Sequence, residues 1–482
     1  MSISKVRTRF APAPTGLMHL GSARTALMNY LFARQHNGVF ILRIEDTDQQ
    51  RNFDPGAKQI MADMAWLGLS YDEGPVKGGP YAPYFQSERT SIYEEYLQKL
   101  IDTDAVYRCF CTPEELEKKR QRQLALKLPP RYDRTCLHLS AETIANNLAK
   151  GMPFVWRLKL PQTGIVEIND LARGTVHFDF KNFSDQPLTR QDGSITFLFA
   201  NFVDDLQMQI THVFRGEDHL TNTAVQTVMY KAFNAPLPIY WHMPILCNTE
   251  GKKLSKRDFG FSLNDLQQGG YLPEAINNYL AIIGGGTFEK EIMDLDELVK
   301  TTDFSQISTA SQIRYDVEKL TWVNHKWIEQ YNPEQLARRC APFIEATFPE
   351  TKNIDIQTLA PLIQTIKSDL TTIRDCQQVL HFYFMRPHIP GNELIQFIPQ
   401  EAGAAIATVV MQHLASIAHI EQFMQQVKTA AKERNIPMKQ LFAFIRLALM
   451  GQPEGPAIHD LISMLGIKEA AERLEMLCKQ VG

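Results

Sequence analysis

The chain has 482 residues, 44% of them hydrophobic and 22% charged, with a net charge of -4. That is the composition of an ordinary folded protein long enough for about three domains. It excludes a generally basic nucleic-acid binder, so a polyanion partner must be met by local basic surfaces. Seven cysteines are too few and too unevenly placed for a disulfide scaffold. The first residues, MSISKVRTRF, lack the apolar core of a secretion signal. No apolar run approaches the roughly 20 residues of a membrane helix, so no membrane partner is expected, and the cysteine usage suits a cytoplasmic protein.

Residues 5–12, KVRTRFAP, read as a short strand ended by Pro12 and Pro14. Ser22 is placed to cap a helix that carries Leu27, Tyr30, Leu31 and Arg34 and closes at Gly38. VFILRI (39–44) is a compact apolar strand, and strand, loop, helix, strand predicts a right-handed βαβ unit of a parallel sheet. Further helices are expected near 55–67 and 88–104. FVWRLKL, GIVEIND and GTVHFDF, within 154–180, have a strand period broken by turns and predict an antiparallel insertion. THVFRGEDHL (211–220) reads as a strand entering a helix. Beyond about residue 320 the strand signals stop and helices follow, broken at GQPEGP (451–456).

The loop before the first helix carries the first chemical signal. A helix N-terminus offers unpaired N–H groups and partial positive charge to an anion. Gly21 permits close approach of a phosphate to the backbone, and His19 can add a hydrogen bond to a phosphoryl oxygen as charge develops. Alone, the stretch is as readily a Pro/Gly loop with an incidental histidine. A second segment, GKKLSKRDFG (251–260), gathers Lys253, Ser255 and Lys256 in a glycine-bounded loop suited to neutralising a departing pyrophosphate, though a solvated basic turn has the same composition. The two together favour nucleotide chemistry.

Cys109, Cys111, Cys136 and His138 form two close pairs, CFC and CLH, separated by a charged stretch, EELEKKRQRQLALK, that is too polar to bury itself. Three thiolates and an imidazole fill a closed tetrahedral Zn²⁺ site of the structural kind; two coincidental pairs of reduced thiols are the alternative.

HLGS (19–22) and KLSKR (253–257) resemble the HIGH and KMSKS signatures of class I aminoacyl-tRNA synthetases. RFAPAPTGLMHLGSARTALMNYLFAR (9–34), LRIEDTD (42–48), DLARG (170–174), ITHVFRGEDHLTNT (210–223) and GYLPEAINNYLA (270–281) are similar to the bacterial glutamate-specific branch. The resemblance implies an α/β Rossmann-type parallel-sheet catalytic domain with an α+β insertion, followed by an all-α C-terminal anticodon-binding region. The implied boundaries are 1–108 and 191–245 for the two catalytic halves and 109–190 for the acceptor-end insertion with its zinc site. A stem-contact region with the lysine loop then takes 246–324, and the anticodon domain 325–482. It further implies a monomer that uses ATP with Mg²⁺, L-glutamate and tRNA. On this reading His19, Gly21 and Lys256 hold ATP, with Lys253 and Ser255 beside them. Arg9, Glu45, Asn201 and Arg215 hold glutamate, an Arg fork meeting a carboxylate with two parallel hydrogen bonds. Lys428, Lys432, Arg434, Lys439 and Arg446 form a basic run suited to RNA phosphates, though a solvated helix face has the same composition.

The family commonly has serine where this chain has Ala13, and tyrosine where it has Phe197; each change removes a hydroxyl from the implied amino-acid pocket. Other readings are glutamylation of tRNA(Gln), a small-molecule nucleotidylyltransferase, a shortened relative that glutamylates a modified tRNA base, and a non-catalytic tRNA-binding paralogue. The long helical tail and the intact His19, Lys253 and Lys256 weigh against the last three.

Overall fold

A computed structural model describes residues 5–48, 52–54, 56–255, 257–285, 288–307, 312–352 and 354–481. The chain forms two compact units, one of residues up to 267 with 273–320, the other of 268–272 with 321 onward. Lys256 lies outside the described residues.

The expected βαβ unit is present. Strands β1 (Arg7–Phe10) and β2 (Val39–Leu42) pair in parallel, Arg9 opposite Ile41. Between them α1 (Leu20–Gln35) buries Leu20, Ala23, Leu27, Met28, Leu31 and Phe32. Burial on nearly every face marks a core helix rather than an amphipathic surface one. The helix stops at Gln35; Asn37 takes a positive φ of 49°, and the Gly38 N–H returns to the Ala33 carbonyl at 2.7 Å. Only glycine fits at 38, because a Cβ there would sit 2.5 Å from the Val6 carbonyl.

Helices α2 (Lys58–Trp66) and α3 (Thr90–Asp102) follow, then β3 (Val106–Cys109), α4 (Pro113–Ala125), α5 (Ala141–Ala149), β4 (Val155–Leu158), β5 (Ile165–Asp170) and β6 (Gly174–Asp179). The two antiparallel pairings, β3 with β4 and β5 with β6, match the strand period read from the sequence. The β5–β6 hairpin is not detached, however. Helix α6 (Phe197–Gln207), β7 (His212–Gly216), α7 (Leu220–Ala232) and β8 (Ile239–Met243) return to the α/β pattern, and β5 joins β8 in a sheet of order β6-β5-β8-β7. β1 runs beside that sheet, where Thr211 donates its N–H to the Arg7 carbonyl at 3.0 Å. The turns and short elements β9 (Ile245–Cys247), α8 (Leu263–Gln268), α9 (Pro273–Gly285), α10 (Leu295–Thr301) and β10 (Gln312–Arg314) complete the strand-bearing part, with β9 and β10 parallel.

From α11 (Val317–Gln330) onward every regular element among the described residues is helical, as expected: α12 (Pro333–Thr347), α13 (Ile356–Ile366), α14 (Cys376–Val379), α15 (His381–Phe384), α16 (Gly391–Phe397), α17 (Gln400–His413), α18 (Ile420–Glu433), α19 (Met438–Met450), α20 (Ile458–Leu465) and α21 (Ile467–Val481). Ile406, Val410, Phe423, Val427, Leu441, Phe444, Leu461 and Leu474 form one core. Buried Arg473 donates to the Leu449 and Phe382 carbonyls at 2.6 and 2.7 Å, satisfying an orphan carbonyl at the end of α19. One segment departs from the sequence reading. Gln400–Ala418, 19 residues of mean hydropathy 1.2, is long and apolar enough by length and composition to cross a membrane. In the fold its Ile406, Val409, Val410 and Ile417 belong to the helical core.

Candidate active site

Helix α1 begins one turn earlier than its sequence suggests. His19, not Ser22, is the N-cap: its backbone is extended (φ -106°, ψ 165°) and its Nδ1 accepts the Ser22 N–H at 3.1 Å. Ser22 is a recipient of the cap. An Nδ1 that accepts leaves the ring proton on Nε2, so His19 is a neutral donor at the helix mouth. Burial, and then the nearby Lys253 cation, hold its pKa below the ordinary histidine value. Gly21 has a second use beyond admitting a ligand to the backbone: a Cβ there would stand 3.2 Å from the His19 ring. Any larger residue would push the cap aside.

The lysine loop meets this helix mouth. Leu20 donates its N–H to the Phe261 carbonyl at 3.0 Å, and Leu263 to the Met18 carbonyl at 2.9 Å. The His19 and Phe261 rings stack with centroids 5.3 Å apart. Lys253 is 67% exposed in its side chain, and the nearest carboxylate oxygen, on Asp218, is 3.8 Å away. Ser255 is tied down instead: its N–H and hydroxyl both donate to Asp258 at 2.8 Å. That carboxylate also accepts from Asn248 at 3.1 Å and braces the loop.

Both segments line one cavity of about 380 Å³, together with Arg9, Ala13, Glu45, Phe197, Asn201 and Arg215. This volume is in the range of small-ligand sites. One side of the cavity is a buried, cross-linked polar cluster. Arg9 pairs with Asp205 (3.1 Å) and donates to the Phe214 carbonyl (3.2 Å). Arg43 spans Glu45 and Asp205, each at 2.8 Å. Glu45 also accepts from Asn201 at 2.7 Å, and Asn201 accepts from Gln226 at 2.9 Å. Burial pushes the Glu45 carboxyl above its usual range against the pull of Arg43. Asp205 stays below it, because Arg9 and Arg43 outweigh the effect of burial.

Arg215 is the exception in this cluster. Only 6% exposed, it makes no ion pair within 4.0 Å among the described residues; it donates to Thr223, to Gln226 at 2.9 Å and to Asn201 at 3.4 Å. Its Nε is buried without a partner. Burial draws its pKa below the ordinary arginine value, whereas the carboxylates around Arg43 hold that residue above it. A buried guanidinium with no carboxylate of its own is costly unless a ligand supplies one.

The whole chain has known relatives. The family described as "tRNA synthetases class I (E and Q), catalytic domain" matches residues 5–322, and "Anticodon binding domain" matches 335–478. The chain is 38% identical over 475 residues to "Glutamate--tRNA ligase 1" of Pseudothermotoga lettingae, covering 98% of this chain and 99% of that one. It is 35% identical to the "Glutamate--tRNA ligase" of Moorella thermoacetica, over 99% of each. Among solved structures, a glutamate tRNA ligase of Elizabethkingia meningosepticum, crystallised with its amino acid, superposes with a TM-score of 0.88 at 32% identity, over 99% of this chain and all of that one. The chain belongs to the class I aminoacyl-tRNA synthetases.

Within this synthetase, both departures from the common family pattern, Ala13 and Phe197, line the cavity, and the Phe197 ring lies 5.5 Å from that of His219. Sequence reasoning missed several residues of the site. Arg43, Asp204 and Asp205 sit inside apolar runs, VFILRI and ANFVDDL, where a charge must be paired; that was the available signal. Arg24 gave no such signal. It lines the cavity with Nε and Nη1 buried and unpartnered, and burial draws its pKa down to about 10.

The cysteine cluster is assembled in part as the sequence suggested. The sulfurs of Cys109, Cys111 and Cys136 all lie within 4.8 Å of one another, and all three residues are buried. His138 is not with them. Residues Thr135–His138 form a 3₁₀ turn, and with three residues per turn positions two apart face different ways, so Cys136 points in and His138 is exposed. The Tyr132 hydroxyl stands in its place, 3.2 Å from the Cys109 sulfur and 3.9 Å from that of Cys111. Hydrogen bonding from Cys136 draws the Cys109 thiol down to about 4. Three converging sulfurs, one of them readily ionised, with a phenol oxygen beside them, fit a tetrahedral soft cation. Helix α4, capped by Thr112 and Glu115 with Pro113 at its first turn, buries none of its residues beside this cluster, as its composition foretold.

Proposed function

We propose that this synthetase ligates L-glutamate to the 3′ end of tRNA(Glu) in two steps. In the first, the glutamate α-carboxylate attacks the α-phosphorus of ATP, taken as its Mg²⁺ complex, and pyrophosphate leaves; in the second, a hydroxyl of the terminal ribose attacks the adenylate carbonyl, forming the ester and releasing AMP. The observation that carries this reading is Arg215, a buried cation lacking a carboxylate, in the cavity that also holds the His19 helix mouth and Lys253. A glutamate side chain supplies the missing anion, and Glu45 and Asn201 face its ammonium group. Neutral His19 donates from Nε2 to phosphate oxygens, the α1 N-terminus adds its partial charge, and Lys253, Ser255 and Lys256 offset charge on the leaving pyrophosphate.

The segment 109–190 serves the acceptor end, with 1–108 and 191–245 the catalytic halves, 246–324 the stem-contact region and 325–482 the anticodon domain. The synthetase acts as a cytoplasmic monomer. Cys109, Cys111 and Cys136 hold a structural Zn²⁺ with Tyr132, rather than His138, as the fourth group. Metal analysis of the purified protein tests this, with about one zinc per chain expected, lost in Cys111→Ser and kept in His138→Ala.

The test of the function is aminoacylation with labelled glutamate and separately purified tRNA(Glu) and tRNA(Gln). Charging of tRNA(Glu) is expected; incorporation into neither would defeat the reading.

A further inference from the structure

Among the described residues no carboxylate pairs with Arg215, yet a fixed negative charge stands three hydrogen bonds behind it, through Thr223 and His242 to Asp170. Arg215 of β7 is register-paired with His242 of β8, and Asp170, the last residue of β5, pairs with Tyr240 on the other side of β8. Asp170 is saturated with donors: Oδ1 accepts the N–H groups of Ala172 and Arg173 at 3.0 Å, and Oδ2 accepts both the backbone N–H and the ring Nδ1 of His242 at 2.8 Å. A carboxylate holding four donors stays ionised, and its bond to Nδ1 puts the imidazole proton there. His242 Nε2 is then an acceptor, 2.7 Å from the Thr223 hydroxyl. Thr223 donates to it, in preference to the His219 carbonyl at 3.3 Å, and is left with lone pairs that accept from Arg215 Nη2.

Each hydrogen bond from Asp170 through His242 and Thr223 to Arg215 Nη2 thereby runs in one sense only. Each of the first three is buried, and none lines the cavity. His242 faces Asp170 from β5, Arg173 from the turn after it, Arg215 from β7, Thr223 from α7 and His219 from the turn before α7, with the Tyr240 ring stacked at 5.5 Å. The arrangement explains how a guanidinium can remain buried without its own counter-ion while Nε and the second hydrogen of Nη1 are left for a ligand carboxylate.

We infer that Asp170, His242 and Thr223 form a positioning relay that fixes the orientation of the Arg215 guanidinium and so sets the affinity for glutamate. This rests on the glutamate reading given above. None of the three lines the cavity, and the relay reaches it only through Arg215, so its loss is expected to act on amino-acid binding alone.

Thr223→Val keeps the shape of the side chain and removes its hydroxyl. In glutamate-dependent pyrophosphate exchange this variant is expected to raise the KM for glutamate ~tenfold, the scale of one hydrogen bond to a charged group. The KM for ATP and the kcat at saturating glutamate should stay within about twofold, and Thr223→Ser should recover the native KM. An unchanged glutamate KM, a parallel rise in the ATP KM, or no recovery in Thr223→Ser would overturn the relay. A second measurement needs no activity. In protein labelled with ¹⁵N-histidine, the signal missing from His242→Asn should be that of a neutral ring protonated on Nδ1 at pH 7. A ring protonated on Nε2, or an imidazolium, would overturn the relay by itself. Absence of any glutamate-dependent exchange in the native protein would instead sink the substrate reading and leave the tautomer to decide.

Discussion

The two sides of the cavity are built differently. On the amino-acid side Arg9, Arg43, Glu45, Asn201 and Asp205 are buried and cross-linked by bonds of 2.7–3.1 Å. On the nucleotide side the backbone is fixed by the contacts of Leu20 and Leu263, but Lys253 is largely in solvent and loosely placed near Asp218. Buried polar groups must find partners before any ligand arrives, or the fold bears their desolvation cost. A solvated lysine bears none and can wait. The chemistry divides accordingly: selection of a small, charged amino acid needs preset geometry, whereas phosphate neutralisation needs cations that can follow moving charge.

Substitutions on the two sides should therefore fail in different ways. Arg215→Ala leaves Asn201, Gln226 and Thr223 without their donor and the ligand without its cation. It is expected to weaken glutamate binding by about two to three orders of magnitude with ATP binding retained. An effect within about threefold would show that Arg215 is structural. Lys253→Ala should instead slow pyrophosphate exchange by roughly ten- to a hundredfold at saturating glutamate, with an unchanged melting temperature, because the side chain is exposed. A raised glutamate KM with normal kcat would erase the contrast between the two sides.

Acidification probes the buried side. His219 is drawn down to about 4 and His242 and His19 also lie below the ordinary value, in each case chiefly through burial. Between pH 6.5 and about 4 the unfolded chain takes up protons that the native histidines refuse, so their contribution lowers stability as pH falls through that window. The melting temperature should drop between pH 7.5 and 5.5. Glutamate activation, by contrast, should show no loss with a midpoint near 6.5, the ordinary histidine value. Such a midpoint would mean that His19 titrates freely. The smallest effect is expected where the family pattern is broken: Ala13→Ser and Phe197→Tyr, each returning a hydroxyl to the cavity, should lower the glutamate KM about two- to tenfold. No change in either would mean that neighbouring groups already do the work of the missing hydroxyls.

Much of this was legible in the sequence. The βαβ opening, the change of strand period near 154–180 and the helical second unit follow from periodicity and from Gly and Pro punctuation. The meeting of the HLGS segment with the lysine loop was expected from chemistry, and the fold brings His19, Gly21 and Ser22 to one cavity with Lys253 and Leu254. What stayed hidden depends on direction rather than composition. That His19 caps α1, that His138 turns away from the thiols while Tyr132 turns toward them, and that Thr223 links His242 to Arg215 are facts about side-chain orientation, which spacing along the chain does not fix. Attachment of the β5–β6 hairpin to the parallel sheet was hidden for a similar reason: strand period reports which faces are buried, not which neighbour is paired.

The central claim is that an unpaired buried guanidinium makes this cavity a receptor for glutamate. Binding of L-glutamate and L-glutamine to the native protein, compared by calorimetry, tests it most directly, since the two ligands differ only in the group that Arg215 would meet. Glutamate is expected to bind at least about a hundredfold more tightly. Equal affinities, or a preference for glutamine, would contradict the account.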